Sequence, residues 1–334
     1  HVLLLGPPGT AKSMLADEIC RRIEGARSFH WLLTKFTTPE ELFGAVSLKA
    51  LEQDEYRRVP ANKPPEAHLA FLDEVFKASS SILNALLLLL NERRFDNGRE
   101  RIEVPLLSLF GAANELPEDD ELQAVYDRFL VRFVVGYVVE DFRFLRMLRT
   151  EPGTVGTTLR LDELASLAAA ARSVVVPDAV LRSILELRRA LGERGIVASD
   201  RRYRQSLALL RALALLRGRG EVGDAEVMFL EHVLWRDPAE RAAVREVLGK
   251  LVHGYEEAVQ ELIFQGRELG EYAARAWETP ELRARARIEA ETKLRRILAQ
   301  LEALENEARQ AGRPLAQAEG ARRELEAIRS SLGI

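Results

Sequence analysis

The octapeptide GPPGTAKS, residues 6–13, directly follows an apolar run that ends at Leu5. It matches the phosphate-binding pattern GxxxxGK[ST] except that Ala11 replaces the second glycine. Met14, Leu15 and Ile19 then follow at the spacing of one helical face. This order of strand, glycine-rich loop and helix is the setting in which backbone N–H groups can bind phosphate oxygens.

The alanine at residue 11 decides how this loop is interpreted. Glycine is needed only where φ is positive or where a Cβ has no room. Ala11 stands at the entry to the predicted helix, and alanine is the best helix former. We therefore predict a negative, helical φ at Ala11 and a competent loop, in which Gly6 and Gly9 make the turns.

Apolar runs alternate with helical patterns up to about residue 150. This alternation indicates a mostly parallel sheet covered by helices on both faces, an α/β fold. Segment 94–104 is predicted as a hairpin, because Asn97-Gly98 is the strongest two-residue turn signal. The predicted core strands are residues 2–5, 29–33, 68–72, 106–113 and 132–139.

The chain beyond residue 150 shows helical patterns only. Leu294, Ile297, Leu301 and Leu304 are three and four residues apart, as in a coiled-coil seam. The pattern is interrupted at Gly312-Arg-Pro314 and then resumes, which predicts a helical hairpin that packs within the chain or docks a partner. The expected domains are an α/β nucleotide-binding core at 1–150, an all-α domain at 151–238 and a helical hairpin or bundle at 239–334.

Composition excludes several classes of protein. The 334 residues are 47% hydrophobic and 30% charged, which is an ordinary globular balance. A net charge of -4 gives no general reason for nucleic-acid binding. The single cysteine, Cys20, excludes an intramolecular disulfide and a cysteine metal cluster.

No apolar run approaches the roughly 20 residues of a membrane helix, and no signal peptide is visible. We therefore expect a cytoplasmic protein without a membrane span. The chain starts with His1 inside a predicted strand, so we expect a further segment before it.

Acidic residues follow the apolar run HLAFL at the end of the third predicted strand. Asp73 can hold a metal through water, and Glu74 can orient or deprotonate an attacking water. In the loop, Lys12 would reach the outer phosphates of a nucleotide and the Ser13 hydroxyl would ligate magnesium. Ordinary helix capping is the alternative role for the two acids.

Asn114 ends the next apolar strand, where its amide could hold the attacking water or touch the terminal phosphate. An ordinary turn residue is the alternative. Arg128 precedes the fifth strand, and an arginine near a subunit edge can stabilise the γ-phosphate of a neighbour's nucleotide. A surface salt bridge with Asp127 or Asp120 is the alternative for Arg128.

Two arginines lie in the first turn of a predicted helix that Ser199 or Asp200 caps. The helix dipole disfavours cations at this end. Arg201 and Arg202 therefore need a compensating anion, and a triphosphate is a natural candidate. The residues expected to bind nucleotide are Gly6, Pro7, Pro8, Gly9, Thr10, Ala11, Lys12, Ser13, Met14, Arg201 and Arg202.

These segments occur in an order that resembles the AAA+ ATPases. GPPGTAKS, TKFTTPEELFG, FLDEVFKASSSILNALLLLLNERRFDNG, AANELP and YDRFLVRF together are similar to the MoxR family, most of all to its RavA-type branch. The resemblance covers roughly residues 1–240. Alanine before the lysine is common in this family. The RavA-type pattern also has a small β-rich module among its C-terminal helices, for which residues 239–334 show no strand pattern.

The resemblance implies an α/β/α core with a helical lid at 151–238, assembled as a ring, usually a hexamer. It implies ATP and ADP as ligands with Mg²⁺, and Walker B roles for Asp73 and Glu74. It assigns Asn114 to sensor 1, Arg128 to the arginine finger and Arg201 to sensor 2, with Arg202 as the uncertain neighbour. The hairpin tip at Asn97-Gly98 would face the pore.

The family implies an ATPase that remodels or activates protein clients, often with a von Willebrand factor A-type partner. The alternative is a ring motor that acts on nucleic acid. Four arginines of the hairpin are consistent with this alternative: Arg93, Arg94, Arg99 and Arg101. The acidic pI and the few aromatic residues weigh against this alternative. A third possibility is a nucleotide-gated scaffold with negligible turnover, against which the intact Glu74 argues.

Overall fold

A computed structural model describes residues 1–117, 120–149, 156–310 and 315–332. The chain forms two compact units that interleave along the sequence. Unit 1 comprises His1–Ser173, Ala198–Ala212 and His232–Pro238, and unit 2 comprises Val174–Val197, Leu213–Glu231 and Ala239–Ile334. The expected division into domains at residues 150 and 238 stays a proposal.

Unit 1 contains the strands and most of the short helices. Its strands are β1 Val2–Leu5, β2 Ile23–Glu24, β3 Ser28–Leu32, β4 Leu69–Asp73, β5 Arg94–Asn97, β6 Glu100–Glu103, β7 Ser108–Ala113, β8 Val131–Val134 and β9 Leu159–Arg160. Its helices are α1 Lys12–Arg21, α2 Pro39–Phe43, α3 Leu48–Leu51, α4 Ser80–Glu92, α5 Asp120–Arg128, α6 Asp141–Arg149 and α7 Leu161–Ser173, with 3₁₀ turns at Pro64–Glu66 and Val75–Lys77.

Five parallel strands form the central sheet in the order β3-β4-β7-β1-β8. These correspond to the five predicted strands, although the fifth ends at Val134 and not at residue 139, and the prediction of an α/β core is confirmed. The apolar runs of β1 and β4 are almost wholly buried because the sheet is covered on both faces. Leu5 is paired with Ala113, and Leu72 with Gly111, so the carboxyl ends of β1, β4 and β7 meet at one edge.

The hairpin β5–β6 forms as predicted, but its turn is one residue later than predicted. Asn97 pairs with Glu100, so Gly98 and Arg99 make the turn. The Asn97 side chain is buried and holds the backbone of Arg58, with its Oδ1 accepting from N at 2.6 Å and its Nδ2 donating to O at 3.0 Å. Gly98 has φ 67°, and a Cβ there would lie 1.9 Å from the carbonyl oxygen of Tyr56. Contact with this segment therefore sets the turn, and Asn97 is not its tip.

Unit 2 is helical in the residues described. Its helices are α8 Asp178–Glu193, α10 Asp224–Val227, α11 Glu240–Ala274, α12 Pro280–Gln310 and α13 Ala316–Ser331, with a 3₁₀ turn at Met228–His232 that ends in unit 1. Helix α9, Asp200–Leu216, begins in unit 1 and ends in unit 2.

The helical C-terminal extension is confirmed as a bundle of three helices. Leu294, Ile297 and Leu301 of the predicted seam are buried in one core with residues of α11 and α13. The long α11 supplies the third helix, which the predicted hairpin of two helices lacked. The predicted interruption at Gly312-Arg-Pro314 lies outside the described residues. In the part of the chain that the structure describes, no helix is long and apolar enough to cross a membrane.

Candidate nucleotide site

The loop between β1 and α1 turns at its two glycines, as predicted. Gly6 has φ 155° and approaches the next segment so closely that a Cβ would lie 1.9 Å from the carbonyl oxygen of Val135. Gly9 has φ 78° and open space around it. Within the loop, the Thr10 hydroxyl donates to Pro7 O at 3.0 Å. Both glycines are therefore required, one by packing and one by backbone conformation.

Ala11 has φ 62° and ψ 25°, so the prediction of a helical φ is wrong. Helix α1 begins one residue later, and Ala11 contributes only its carbonyl, which accepts from Leu15 N at 3.1 Å. The backbone reaches the helix through a left-handed residue, and such alternation of hand turns successive N–H groups toward one point. The competence of the loop stays a prediction, and it would depend on this left-handed conformation, which the alanine adopts in place of the expected glycine.

Lys12 lies over the loop and is nearly buried, with 8% of the residue exposed. Its Nζ donates to Gly6 O and Pro7 O, each at 2.8 Å. A third contact, 3.4 Å long, reaches Oδ1 of Asn114 at the end of β7. The ammonium group is thus held where the loop meets the edge of the sheet.

Asn114 also contacts the acid that follows β4. Its Nδ2 donates to Glu74 Oε1 at 2.5 Å, so one amide links Lys12 to Glu74. Glu74 has φ 53°, and its backbone N donates to Asp73 Oδ1 at 3.0 Å. Lys77 lies 3.4 Å from the other oxygen of Glu74. The structure therefore brings together Lys12, Asn114 and Glu74 from three strand ends.

A cavity of about 260 Å³ adjoins this network, and Glu74, Lys77 and Asn114 lie in its wall. Such a volume is ample for several waters. Polar partners for an ordered water therefore stand beside the proposed general base.

The donors available for magnesium are the Ser13 hydroxyl, which is exposed, and the half-buried Asp73 carboxylate. Both are hard oxygen ligands of the kind that magnesium prefers. Among the described residues, no group of three or more His, Cys, Asp or Glu side chains could hold a metal. A phosphate-loop site needs no such group, because substrate phosphates and water complete the coordination. The residues present fit the ion.

The remaining predicted site residues differ in how far they are exposed to solvent. Pro8 and Met14 are exposed, and the Tyr137 hydroxyl donates to Pro8 O at 3.2 Å. Arg128 is the last residue of α5 and half-buried. Arg201, in the first turn of α9, is exposed and stays the predicted sensor 2 residue.

Arg202 has a different environment from its neighbour, and the interpretation that it awaits an anion is corrected. It is 1% exposed, and its guanidinium donates to backbone carbonyls of Val233, Phe129 and Leu130 and to Asp127. Carbonyl oxygens and one carboxylate supply the compensation that we expected from a triphosphate. Asp127 is thereby paired with Arg202 at 3.4 Å.

Three residues near the site escaped sequence analysis. Val135 presses against Gly6, and Tyr137 binds Pro8, yet neither belongs to a recognisable motif. Arg132 is 1% exposed in β8, and a charged residue inside an otherwise apolar strand was the available signal.

Two family models match the chain. The first, described as the MoxR domain in the MoxR-vWA-beta-propeller ternary systems, covers residues 1–155, and an AAA lid domain covers residues 179–248. The first match spans the phosphate loop, both acids, Asn114 and Arg128. The chain belongs to the MoxR-type AAA+ ATPases. The phosphate loop and the contacts among Lys12, Asn114 and Glu74 lie within the residues that match the MoxR domain.

Two archaeal proteins are similar to this chain over more residues than match the MoxR domain. The uncharacterized protein MJ0079 of Methanocaldococcus jannaschii is 40% identical over 261 residues, 78% of this chain and 68% of that protein. MJ0812 of the same organism is 39% identical over 245 residues, 72% of this chain and 64% of that protein. The chain thus spans about two thirds of the length of each.

A viral protein and a protein of solved structure are also similar to this chain. Structural protein ORF618 of the Acidianus two-tailed virus is 30% identical over 143 residues, 41% of this chain and 23% of that protein. The crystal structure of a candidate ATPase from Cytophaga hutchinsonii superposes with a TM-score of 0.59 at 17% identity, covering 76% of this chain and 84% of that one. At this identity the superposition supports the fold alone.

Proposed function

We propose that this MoxR-type chain hydrolyses ATP to ADP and phosphate with Mg²⁺. The observation that carries the proposal is the Asn114 amide, which lies 3.4 Å from Lys12 Nζ and 2.5 Å from Glu74 Oε1. One side chain thereby connects the group that would bind the outer phosphates to the group that would activate water. A chance phosphate-loop pattern would not have these partners at the adjacent strand ends.

Each residue of the site has its own role in the proposed reaction. The loop N–H groups and Lys12 bind the phosphates, and Ser13 and Asp73 hold magnesium, which when bound neutralises charge on the phosphate oxygens. Glu74 accepts a proton from the attacking water. Asn114 keeps the Glu74 carboxylate oriented.

Two arginines complete the proposed site. We propose that Arg128 reaches the nucleotide of a neighbouring subunit as the arginine finger, and that Arg201 acts as sensor 2. Such a division of labour requires an oligomer, and we propose a ring, most simply a hexamer.

We further propose that the ring remodels protein clients in the cytoplasm with a von Willebrand factor A-type partner. The support is the matching family model, which is named after systems that contain such a partner. A link to the RavA-type branch rests only on the sequence segments quoted above.

A nucleic-acid motor is the second candidate function, and the hairpin charges bear on it. Arg101 pairs with Asp96 at 3.0 Å, and Glu100 pairs with Arg57 at 2.9 Å. Arg93 is half-buried and donates to Leu107 O at 3.3 Å. Two of the four hairpin arginines, Arg93 and Arg101, thus bind groups of the protein, which supports a protein client.

Substitution of Glu74 by glutamine tests the hydrolytic proposal. Glu74→Gln keeps the size of the side chain but removes the proton acceptor, so ATP binding should remain while turnover falls by about 100-fold or more. Glu52→Gln is the matched control, since it removes the same charge from an exposed residue of the same unit outside this cavity and should leave turnover unchanged. Phosphate release and binding of a fluorescent ATP analogue are measured for both. Unchanged turnover in Glu74→Gln would refute the assignment.

The choice of client is tested by stimulation of ATP turnover. A von Willebrand-type partner encoded beside the gene should stimulate phosphate release. DNA or RNA should not stimulate it. Strong stimulation by nucleic acid that falls steeply with salt would establish the alternative function instead.

A further inference from the structure

Helix α5 ends at Arg128, and its C-terminus points into a cluster of buried cations. The last carbonyls of any α-helix have no partners within the helix and carry the negative end of its dipole. Here the carbonyls of Tyr126 and Asp127, before Arg128, and of Phe129 and Leu130, after it, all accept hydrogen bonds from arginine side chains. The backbone is therefore held on both sides of the proposed finger.

Arg202 makes most of these bonds. From the first turn of α9, its Nη1 donates to Asp127 O at 3.2 Å and Phe129 O at 3.1 Å, and its Nη2 donates to Leu130 O at 2.6 Å. Its Nε donates to Val233 O at 2.9 Å. All the donor nitrogens of this side chain are thus engaged by groups of the protein.

Arg132 binds the same helix end from β8. Its Nη2 donates to Tyr126 O at 3.1 Å and its Nη1 to Trp235 O, while its guanidinium lies 3.7 Å from the centre of the Tyr126 ring. Burial, and then the charge of Arg202, lowers the pKa of Arg132 to about 9. Two cations thus share one carboxylate, Asp127, at 3.4 and 4.0 Å.

Burying two guanidinium groups is costly unless every donor is well placed. The planar, five-donor geometry of arginine suits several converging carbonyls, and a lysine ammonium could not bind them all. Nε of Arg132 is buried without a hydrogen-bond partner among the described residues, and so is Nε of Arg128. No hydrogen bond at Nε orients the Arg128 side chain, so the position of its backbone determines where the side chain begins.

We infer that Arg202 and Arg132 are positioning residues that set the direction of the Arg128 finger toward the neighbouring subunit. This inference rests on the proposed function. Neither positioning residue would touch nucleotide, and their effect would pass through the backbone of residues 126–130. Displacement of a reacting group by about 1 Å can cost on the order of 100-fold in rate. The arginine pair therefore matters for the neighbour's site and not for the protomer's own.

Experiments with rings that mix two variants distinguish an effect on the neighbour's site from an effect on the protomer's own site. An Arg202→Lys protomer keeps its own Lys12 and Glu74 but would present a misplaced finger. Its ATP binding should stay within about two-fold of the wild type, and its turnover should fall about ten-fold or more. A Glu74→Gln protomer lacks turnover but presents an intact finger. Mixed rings of the two should therefore regain activity above that of either protein alone.

Two reference proteins accompany this test. Arg204→Lys, an exposed arginine of the same helix, should retain wild-type turnover. Arg128→Ala mixed with Glu74→Gln must regain activity if the finger acts between subunits. No recovery in that reference mixture would overturn the proposed ring function itself.

Recovery with Arg128→Ala but not with Arg202→Lys would overturn the positioning inference alone, as would unchanged turnover in Arg202→Lys. If Arg202→Lys does not fold, Asp127→Asn takes its place, because it removes only the shared carboxylate and leaves the carbonyl contacts. It should lower turnover about two- to five-fold, with the same recovery on mixing. Unchanged turnover, or a loss that mixing does not repair, would refute the inference.

Discussion

Ala11 carries a backbone cost that glycine would not. A left-handed conformation costs an L-residue about 1–2 kcal/mol, and Ala11 has φ 62° at the junction of loop and helix. Glycine would remove this strain but would give the unfolded chain more freedom, at a cost of about 0.4–1 kcal/mol. The balance favours glycine at this position.

We therefore expect Ala11→Gly to raise the free energy of unfolding by about 0.5–1 kcal/mol. Ala16→Gly is the control, because Ala16 is buried within the regular helix α1 and should lose about 1 kcal/mol or more. Urea denaturation of both variants measures the difference. A similar loss of stability in both would mean that Ala11 is not strained.

Helix α11 contains glycines in two different packing environments. A Cβ on Gly266 would lie 2.1 Å from Cδ2 of Leu325, which is wholly buried in α13. A Cβ on Gly249, in the same helix, would meet nothing within 4 Å. Helices α11 and α13 can approach this closely because Gly266 has no side chain.

Alanine should therefore have opposite effects at the two glycines. Gly249→Ala should raise the free energy of unfolding by about 1 kcal/mol through helix propensity. Gly266→Ala should lower it by about 1–3 kcal/mol through overpacking against Leu325. Thermal denaturation followed by circular dichroism measures both. The double variant Gly266→Ala/Leu325→Ala should lose less stability than the sum of the two single losses, and strict additivity would contradict the contact.

The whole molecule consists of two units, and each contains a hydrophobic core among its described residues. In unit 1, Ala16, Phe71 and Phe110 belong to a core beneath the sheet, and in unit 2 the bundle has its own core around Leu294 and Leu325. Every residue of the proposed nucleotide site lies in unit 1. A ligand stabilises the part of the structure that binds it, according to its concentration and affinity.

A non-hydrolysable ATP analogue should therefore protect unit 1 selectively. At 100 times its dissociation constant, the stabilisation should be about 2.7 kcal/mol. Hydrogen exchange with mass spectrometry should show slower exchange in peptides from residues 1–117, with little change in residues 280–310. Lys12→Ala should abolish the effect. Equal protection of the bundle would show that the two units unfold as one.

Several features of fold and site follow from local sequence. The five strands were predictable because buried parallel strands are continuous apolar runs between turn signals, as in the run that ends at Asp73. The turn of the hairpin was not predictable, because it depends on where distant backbone passes. The φ of Ala11 was not predictable either, because helix propensity does not show at which residue the helix begins. Gly98 turns where it does because Tyr56 lies against it. Adjacent positions such as Arg201 and Arg202 also could not be ranked, since periodicity alone does not show which one faces inward.

The sequence alone determined the order of the elements and the chemical groups at the strand ends: Lys12, Asp73, Glu74 and Asn114. Periodicity and turn propensity act over a few residues, and that range is sufficient for these features. Only the tertiary structure decided that Asn114 joins Lys12 to Glu74 and that Arg202 turns inward to bind the end of α5. Those contacts connect residues from 40 to 102 positions apart, and only packing of the whole unit brings them within hydrogen-bond distance.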